Sequence, residues 1–171
     1  MLKCLNVEMN KGFTLMEAIV AIFVITAGLV GVLSLVTQTI SSSTFSKDKL
    51  IAAYLAQEGI EIVRNIRDTN WLQSLSWNNG LGAGEYEAAY QDSSLTSCPS
   101  ICDYDHNLRF LKIDGGFYGY PLSGTDTKFK RKITIGAGPI ADSMNIKVEV
   151  FWQEKGKPYS VPAQENLYNW K

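Results

Sequence analysis

Between Glu17 and Lys47 the chain carries no charged side chain, and from Ala18 to Val36 it is apolar apart from Thr26, Ser34 and its glycines. A hydrocarbon core of roughly 30 Å is crossed by about 20 helical residues, so this stretch is long enough to span a bilayer as one helix. A secretory h-region is shorter, about 7 to 15 residues, and is followed by its cleavage site. The plainest reading is an uncleaved signal anchor. Two details do not suit a plain anchor. A polar leader with Lys3 and Lys11 stops at Gly12, so a cut there would precede the apolar segment instead of following it. Glu17 also places a carboxylate at membrane depth, which costs about 2.5 to 3.5 kcal/mol on insertion scales and usually marks function.

Glu17 has two readings. Thr14 and Glu17 stand in the T-x-x-E spacing of a capping box ahead of an apolar run, in which the glutamate satisfies a backbone N–H. Alternatively its carboxylate is neutralised by a cation of an adjacent subunit, and a new α-amino group on Phe13 would serve. Both roles can hold at different stages of the protein's life.

Lys11, Gly12, Phe13, Thr14, Leu15, Met16 and Glu17, followed by an apolar helix, resemble the class III signal of type IV prepilins and type II secretion pseudopilins. The resemblance implies that a membrane prepilin peptidase cleaves between Gly12 and Phe13 and N-methylates Phe13, and that Glu17 is the family's assembly glutamate. It implies a single-pass inner (cytoplasmic) membrane precursor with an extracytoplasmic head, later an extracellular or periplasmic filament. Its partners would be membrane lipid, other pilin or pseudopilin subunits and an inner-membrane assembly platform. Many major pilins carry a helix-kinking proline in this stretch. This chain has none between Phe13 and Asp68, and Gly28 and Gly31 are the residues that would soften the helix in its place.

Helical periodicity resumes after a Ser/Thr-rich stretch, with Ile51, Leu55, Gly59, Ile62 and Ile66 on one stripe and Ala52, Ala56 and Val63 beside it. Lys47, Asp48, Gln57, Glu58, Glu61, Arg64, Asn65 and Asp68 fall largely on the other side, the pattern of a helix covered on one face. Within this segment Leu55, Ala56, Glu58, Arg64 and Arg67 resemble minor pilins more than major ones. If continuous, the helix from Phe13 to Asp68 would measure about 84 Å at 1.5 Å per residue.

The cover for that stripe is predicted from the end of the chain. Phe129, Arg131, Ile133 and Ile135 alternate with Lys130, Lys132 and Thr134, and Ile146, Val148, Val150 and Trp152 alternate with Lys147, Glu149, Phe151 and Gln153. Period two marks half-buried strands. A turn at Glu154 to Lys157 leads to a third strand, Tyr159 to Val161, which Pro162 is expected to stop. The fold class is therefore α+β: a long N-terminal helix, first half transmembrane and second half amphipathic, packed on a C-terminal antiparallel sheet, as in pilins. The expected divisions are a leader at 1–12, a membrane and assembly helix at 13–40, an amphipathic helix at 41–68 and a globular head at 69–171.

Cys4 falls in the leader, which leaves Cys98 and Cys102. With only His106 beside them they do not complete a four-ligand zinc site, so outside the cytoplasm a disulfide is the better reading than free thiols or metal. Asp103, Asp105, Asn107 and Asp114 have the spacing of a calcium loop, but Leu108 stands where such a loop needs Gly, and an ordinary polar turn is expected. No nucleophile elbow or oxyanion motif accompanies His106, so catalysis is not expected and no cofactor is implied. The net charge of -1 argues against a chain that coats nucleic acid. The basic run Lys128, Lys130, Arg131 and Lys132 reads as a solvated face, with a DNA-contact patch as the sharper alternative, and Phe117, Tyr118 and Tyr120 read as core or turn residues. The function expected is a structural, minor pilin-like subunit. A type II secretion pseudopilin is the alternative, and a membrane-anchored extracytoplasmic binding module or a DNA-uptake pilin ranks behind both.

Overall fold

The structure, a computed structural model, describes residues 12–98, 102–106, 108–121 and 123–170. All of the leader but Gly12 lies outside them, as do Pro99, Ser100, Ile101 and Asn107. The chain divides into two compact units, Met1–Thr44 and Phe45–Lys171. Among the described residues one helix, α1 (Leu15–Leu72), supplies the helix of the first unit and the helical layer of the second.

In the first unit every residue from Gly12 to Ile40 is exposed, although most of these side chains are apolar. Among the described residues this is the one helix long and apolar enough to cross a membrane, which fits single-pass anchoring. Several of its hydroxyls bond back to the helix. Thr26 Oγ1 lies 2.9 Å from the carbonyl oxygens of Ile22 and Phe23, and Thr39 Oγ1 lies 2.8 Å from that of Leu35. A donor bonded back to its own helix can enter hydrocarbon without the cost of an unpaired polar group. The helix runs through Gly28 and Gly31 without a break, so neither interrupts it.

In the second unit α1 buries Ala52, Leu55, Ala56, Gly59, Ile60, Ile62, Val63 and Ile66. These pack in one cluster with Phe129, Ile133, Ile146, Val148, Val150 and Trp152 of the sheet, each large apolar side chain contributing about 1.5 to 3 kcal/mol by leaving water. The predicted stripe is present, with two changes. Ile51 is only half-buried, and Asp48, assigned to the solvent side, is buried. Its cover is Lys128, whose ammonium bonds both Asp48 and Glu154 Oε2, the latter at 2.9 Å.

The sheet contains β1 (Gly84–Glu87), β2 (Thr96–Ser97), β3 (Phe110–Asp114), β4 (Phe117–Gly119), β5 (Thr125–Ala137), β6 (Ser143–Glu154) and β7 (Lys157–Tyr168). All pairings are antiparallel. β5 is the centre: β6 pairs with it from Lys130 to Ala137, β3 pairs with its first half and β1 with its second. β7 pairs only with β6 and is an edge strand. Two tight turns carry positive φ at both central positions, Gly115–Gly116 between β3 and β4 and Lys155–Gly156 between β6 and β7, the twist a two-residue hairpin requires.

The third strand is longer than predicted, because Pro162 does not stop it. Pro162 sits in register with Glu149, and β7 continues to pair as far as Tyr168 opposite Ser143. An edge strand tolerates proline where the missing N–H would face outward, and the ring then blocks addition of a further strand. The helix also ends later than expected, four residues past Asp68. Ser74 takes φ 57°, its N–H bonds Trp71 O at 3.1 Å, and Leu75 N–H bonds Asn70 O at 2.9 Å. That pair of bonds is a Schellman cap, usually built on Gly.

Candidate assembly site

Among the described residues of the first unit, the chemistry-bearing ones gather at the start of α1. Thr14 Oγ1 accepts the backbone N–H of Glu17 at 3.2 Å, and Thr14 O accepts that of Ala18 at 3.1 Å, so Thr14 is the N-cap and Glu17 the third helical residue. This is the Thr half of the capping box, and it uses the Glu17 backbone. The Glu17 side chain is exposed, and among the described residues no basic group pairs with it. Phe13 is 79% exposed directly ahead of the cap. From Gly12 to Ser46, Glu17 is the only ionisable side chain.

Cys98 and Cys102 are joined by a disulfide with Cα atoms 6.0 Å apart. Cys98 N–H also bonds Glu85 O at 2.9 Å, which ties the bridge to β1. The aspartates of the calcium-loop spacing are not assembled around a common point. Asp103 Oδ1 accepts from the backbone N–H groups of Asp105 and His106 at 3.0 and 2.9 Å and lies 2.8 Å from His106 Nδ1. The His106 bond holds the Asp103 carboxyl below its ordinary range. Asp114 instead ends β3 and accepts from Ser123 Oγ at 3.0 Å. Among the described residues no three His, Cys, Asp or Glu side chains converge as metal ligands.

The basic run on β5 is neither a solvated face nor an open patch. Lys128 is held by Asp48 and Glu154, Lys132 Nζ bonds Glu85 at 3.1 Å, and Lys130 bonds Tyr104 O beneath the ring of Phe110. Arg131 is fully buried in the inward row. It donates to Leu55 O at 3.0 Å, Glu58 Oε1 at 3.1 Å and Ala88 O, so one guanidinium ties α1, β5 and the segment after β1 together. A buried guanidinium is tolerated because these acceptors replace its water.

A second charged arrangement escaped the sequence reading. Glu87 is buried and accepts from Arg109 N–H and Nε at 2.6 and 2.7 Å. The Arg109 guanidinium covers the Tyr120 ring at 4.2 Å. Burial, with the Glu87 carboxylate adding to it, pushes the Tyr120 phenol far above its usual range. Tyr120 also lines a cleft of about 450 Å³ with Tyr90, Asp92, Asp114 and Phe117. The segment holding Tyr90 and Asp92 has no periodicity. The one available signal was Phe117, expected as a core or turn residue: it closes the Gly115–Gly116 turn and is 58% exposed, not core.

No family model, curated protein or solved structure matches this chain. The functional reading therefore stands on its own residues.

Proposed function

We propose that this chain is a non-catalytic structural subunit of a type IV pilus-like filament, made as a prepilin and most similar to a minor pilin. In this reading prepilin peptidase cuts between Gly12 and Phe13 and methylates the new Phe13 amine. Lipid holds the apolar part of α1 in the inner membrane with the sheet-bearing unit outside the cytoplasm, until an assembly platform transfers the helix into the filament.

The observation that carries the reading is Glu17. It is a carboxylate at the start of an otherwise apolar helix, four residues after Phe13, and no basic side chain among the described residues partners it. A charge at membrane depth is retained at a cost of about 2.5 to 3.5 kcal/mol where something outside the helix gains from it. The amine of an adjacent subunit's Phe13 supplies a cation that a plain membrane anchor lacks. The disulfide suits an oxidising compartment for the head. The occupied basic residues of β5 favour a structural role over DNA capture.

N-terminal sequencing of protein extracted from membranes tests this directly. The first residue should be Phe13, carrying a methyl group on its amine, and replacing Gly12 with a bulky residue should leave a longer unprocessed form. An intact Met1, or a cut after Val36, would reject the assignment.

A further inference from the structure

We propose that the cleft between the Ala89–Asp92 segment and the β3–β4 hairpin is a docking site for an arginine side chain of another polypeptide. The site lies wholly in the second unit and does not rest on the filament reading.

The cleft has a volume of about 450 Å³, enough for one long side chain and the backbone that carries it. On one side Tyr90 and Phe117 stack, ring centroids 4.9 Å apart and planes 22° from parallel, although Phe117 is 58% exposed and Tyr90 is 40% exposed. Two aromatic rings left in water beside a concavity offer a guanidinium plane a surface to stack on.

Its charged groups, Asp92 and Asp114, are of one sign. Asp92 Oδ2 accepts Ala89 N–H at 2.7 Å, and Asp114 Oδ2 accepts Ser123 Oγ at 3.0 Å. Neither carboxylate is ion-paired among the described residues, and no Lys or Arg lines the cleft. Arg109, which stacks on the Tyr120 ring, is committed to Glu87 and does not line the cleft. A phosphate or other anion would meet two unscreened carboxylates. A planar cation meets two acceptors and the open outer face of the Tyr90–Phe117 stack, contacts that suit a guanidinium.

The occupant is not a second copy of this chain. Its arginines are Arg64, Arg67, Arg109 and Arg131, and each is already paired, with Glu165, Asp68, Glu87 and Glu58 respectively. A second copy would have to break an ion pair to offer a guanidinium. A different protein does not.

The test uses the full chain in detergent micelles and two short peptides, acetyl-Gly-Arg-Gly-amide and its citrulline counterpart, which has nearly the same shape and no charge. NMR of ring-labelled Tyr and Phe reads the cleft directly. The arginine peptide should shift the Tyr90 and Phe117 signals saturably, and the citrulline peptide should bind at least about tenfold more weakly. Asp92→Asn and Asp114→Asn keep the Ala89 cap and the Ser123 bond, so the fold stays intact, and each should weaken arginine binding by about fivefold. Phe117→Leu should do the same through loss of stacking. Equal shifts with both peptides, no saturable shift, or a response to a neutral oligosaccharide in place of arginine would each overturn the proposal.

Discussion

Gly59 of α1 and Val148 of β6 approach so closely that a Cβ placed on Gly59 would lie 2.7 Å from Val148 Cγ1, with Arg131 Cδ at 3.2 Å. Val148 is fully buried and stiff at χ1, so it cannot swing aside. This glycine sets how near the helix lies to the sheet, and so whether Arg131 reaches Leu55 O. Gly59→Ala should gain about 1 kcal/mol of helix propensity and lose about 1 to 3 kcal/mol to overpacking. Net destabilisation, read as a lower urea midpoint of the second unit, is the expected result. A rise in the midpoint would show that the layers separate without cost.

The opposite sign is expected at the helix end. Ser74 holds the left-handed position of the Schellman cap, where a side chain is disfavoured and Gly is not. Ser74→Gly should therefore stabilise by about 0.5 to 1 kcal/mol, seen as a higher unfolding midpoint with unchanged helix content. An unchanged or lower midpoint would mean that the serine side chain contributes something its backbone geometry does not explain.

These two positions also show where the sequence was legible. Gly59 falls on the predicted apolar stripe, because a close approach needs a small residue on the buried face. The end of the helix was placed at Asp68, since a stop is usually read from glycine and here a serine occupies the cap. Asp48 was assigned to water because periodicity sees only its own helix, while the lysine that buries it lies 80 residues away on β5. Arg131 alternates with Phe129 and Ile133, yet the adjacent Lys128, Lys130 and Lys132 make the run look like a solvated face. Pro162 reads as a stop unless β7 is known to be an edge, which is a property of the sheet and not of the strand. The N-terminal features stand apart from these cases, because capping and hydrophobic length are local and need no distant partner.

Lys128 bridges Asp48 and Glu154, and this predicts a pH dependence with two sides. The Lys128 bond lowers the Glu154 carboxyl below its ordinary 4.5, so its contribution is present above that value and is lost as pH falls through the lowered one. For Lys128, burial opposes the charge, but the bonds to Asp48 and Glu154 outweigh it and raise the ammonium above its ordinary 10.5. That contribution is complete below 10.5 and is lost as pH rises through the raised value. Wild type should exceed Lys128→Met in urea midpoint at neutral pH, and the gap should close toward both extremes. A gap that stays constant from neutral to strongly acidic pH would show that the charges contribute nothing and only packing was lost.

Glu17 gives the prediction that bears most on function, because its two roles separate experimentally. Thr14 already caps the Glu17 N–H, so the start of α1 does not depend on the carboxylate. Glu17→Ala removes a membrane insertion cost of about 2.5 to 3.5 kcal/mol, so the anchored subunit should be held in the membrane at least as well as wild type. Filament incorporation should fall nonetheless, since the helix loses its partner for a neighbour's Phe13 amine and with it a cue for axial register. Glu17→Gln decides the cause. It keeps the side-chain length and an acceptor for a capping bond, but not the charge. Sheared-filament and membrane fractions are compared for wild type and both variants, with N-terminal sequencing to confirm that each is processed. Charge pairing requires both variants to be processed, retained in the membrane and depleted from filaments. Normal assembly of Glu17→Gln alone would move the role to the capping bond, and normal assembly of both would leave the carboxylate without a part in assembly.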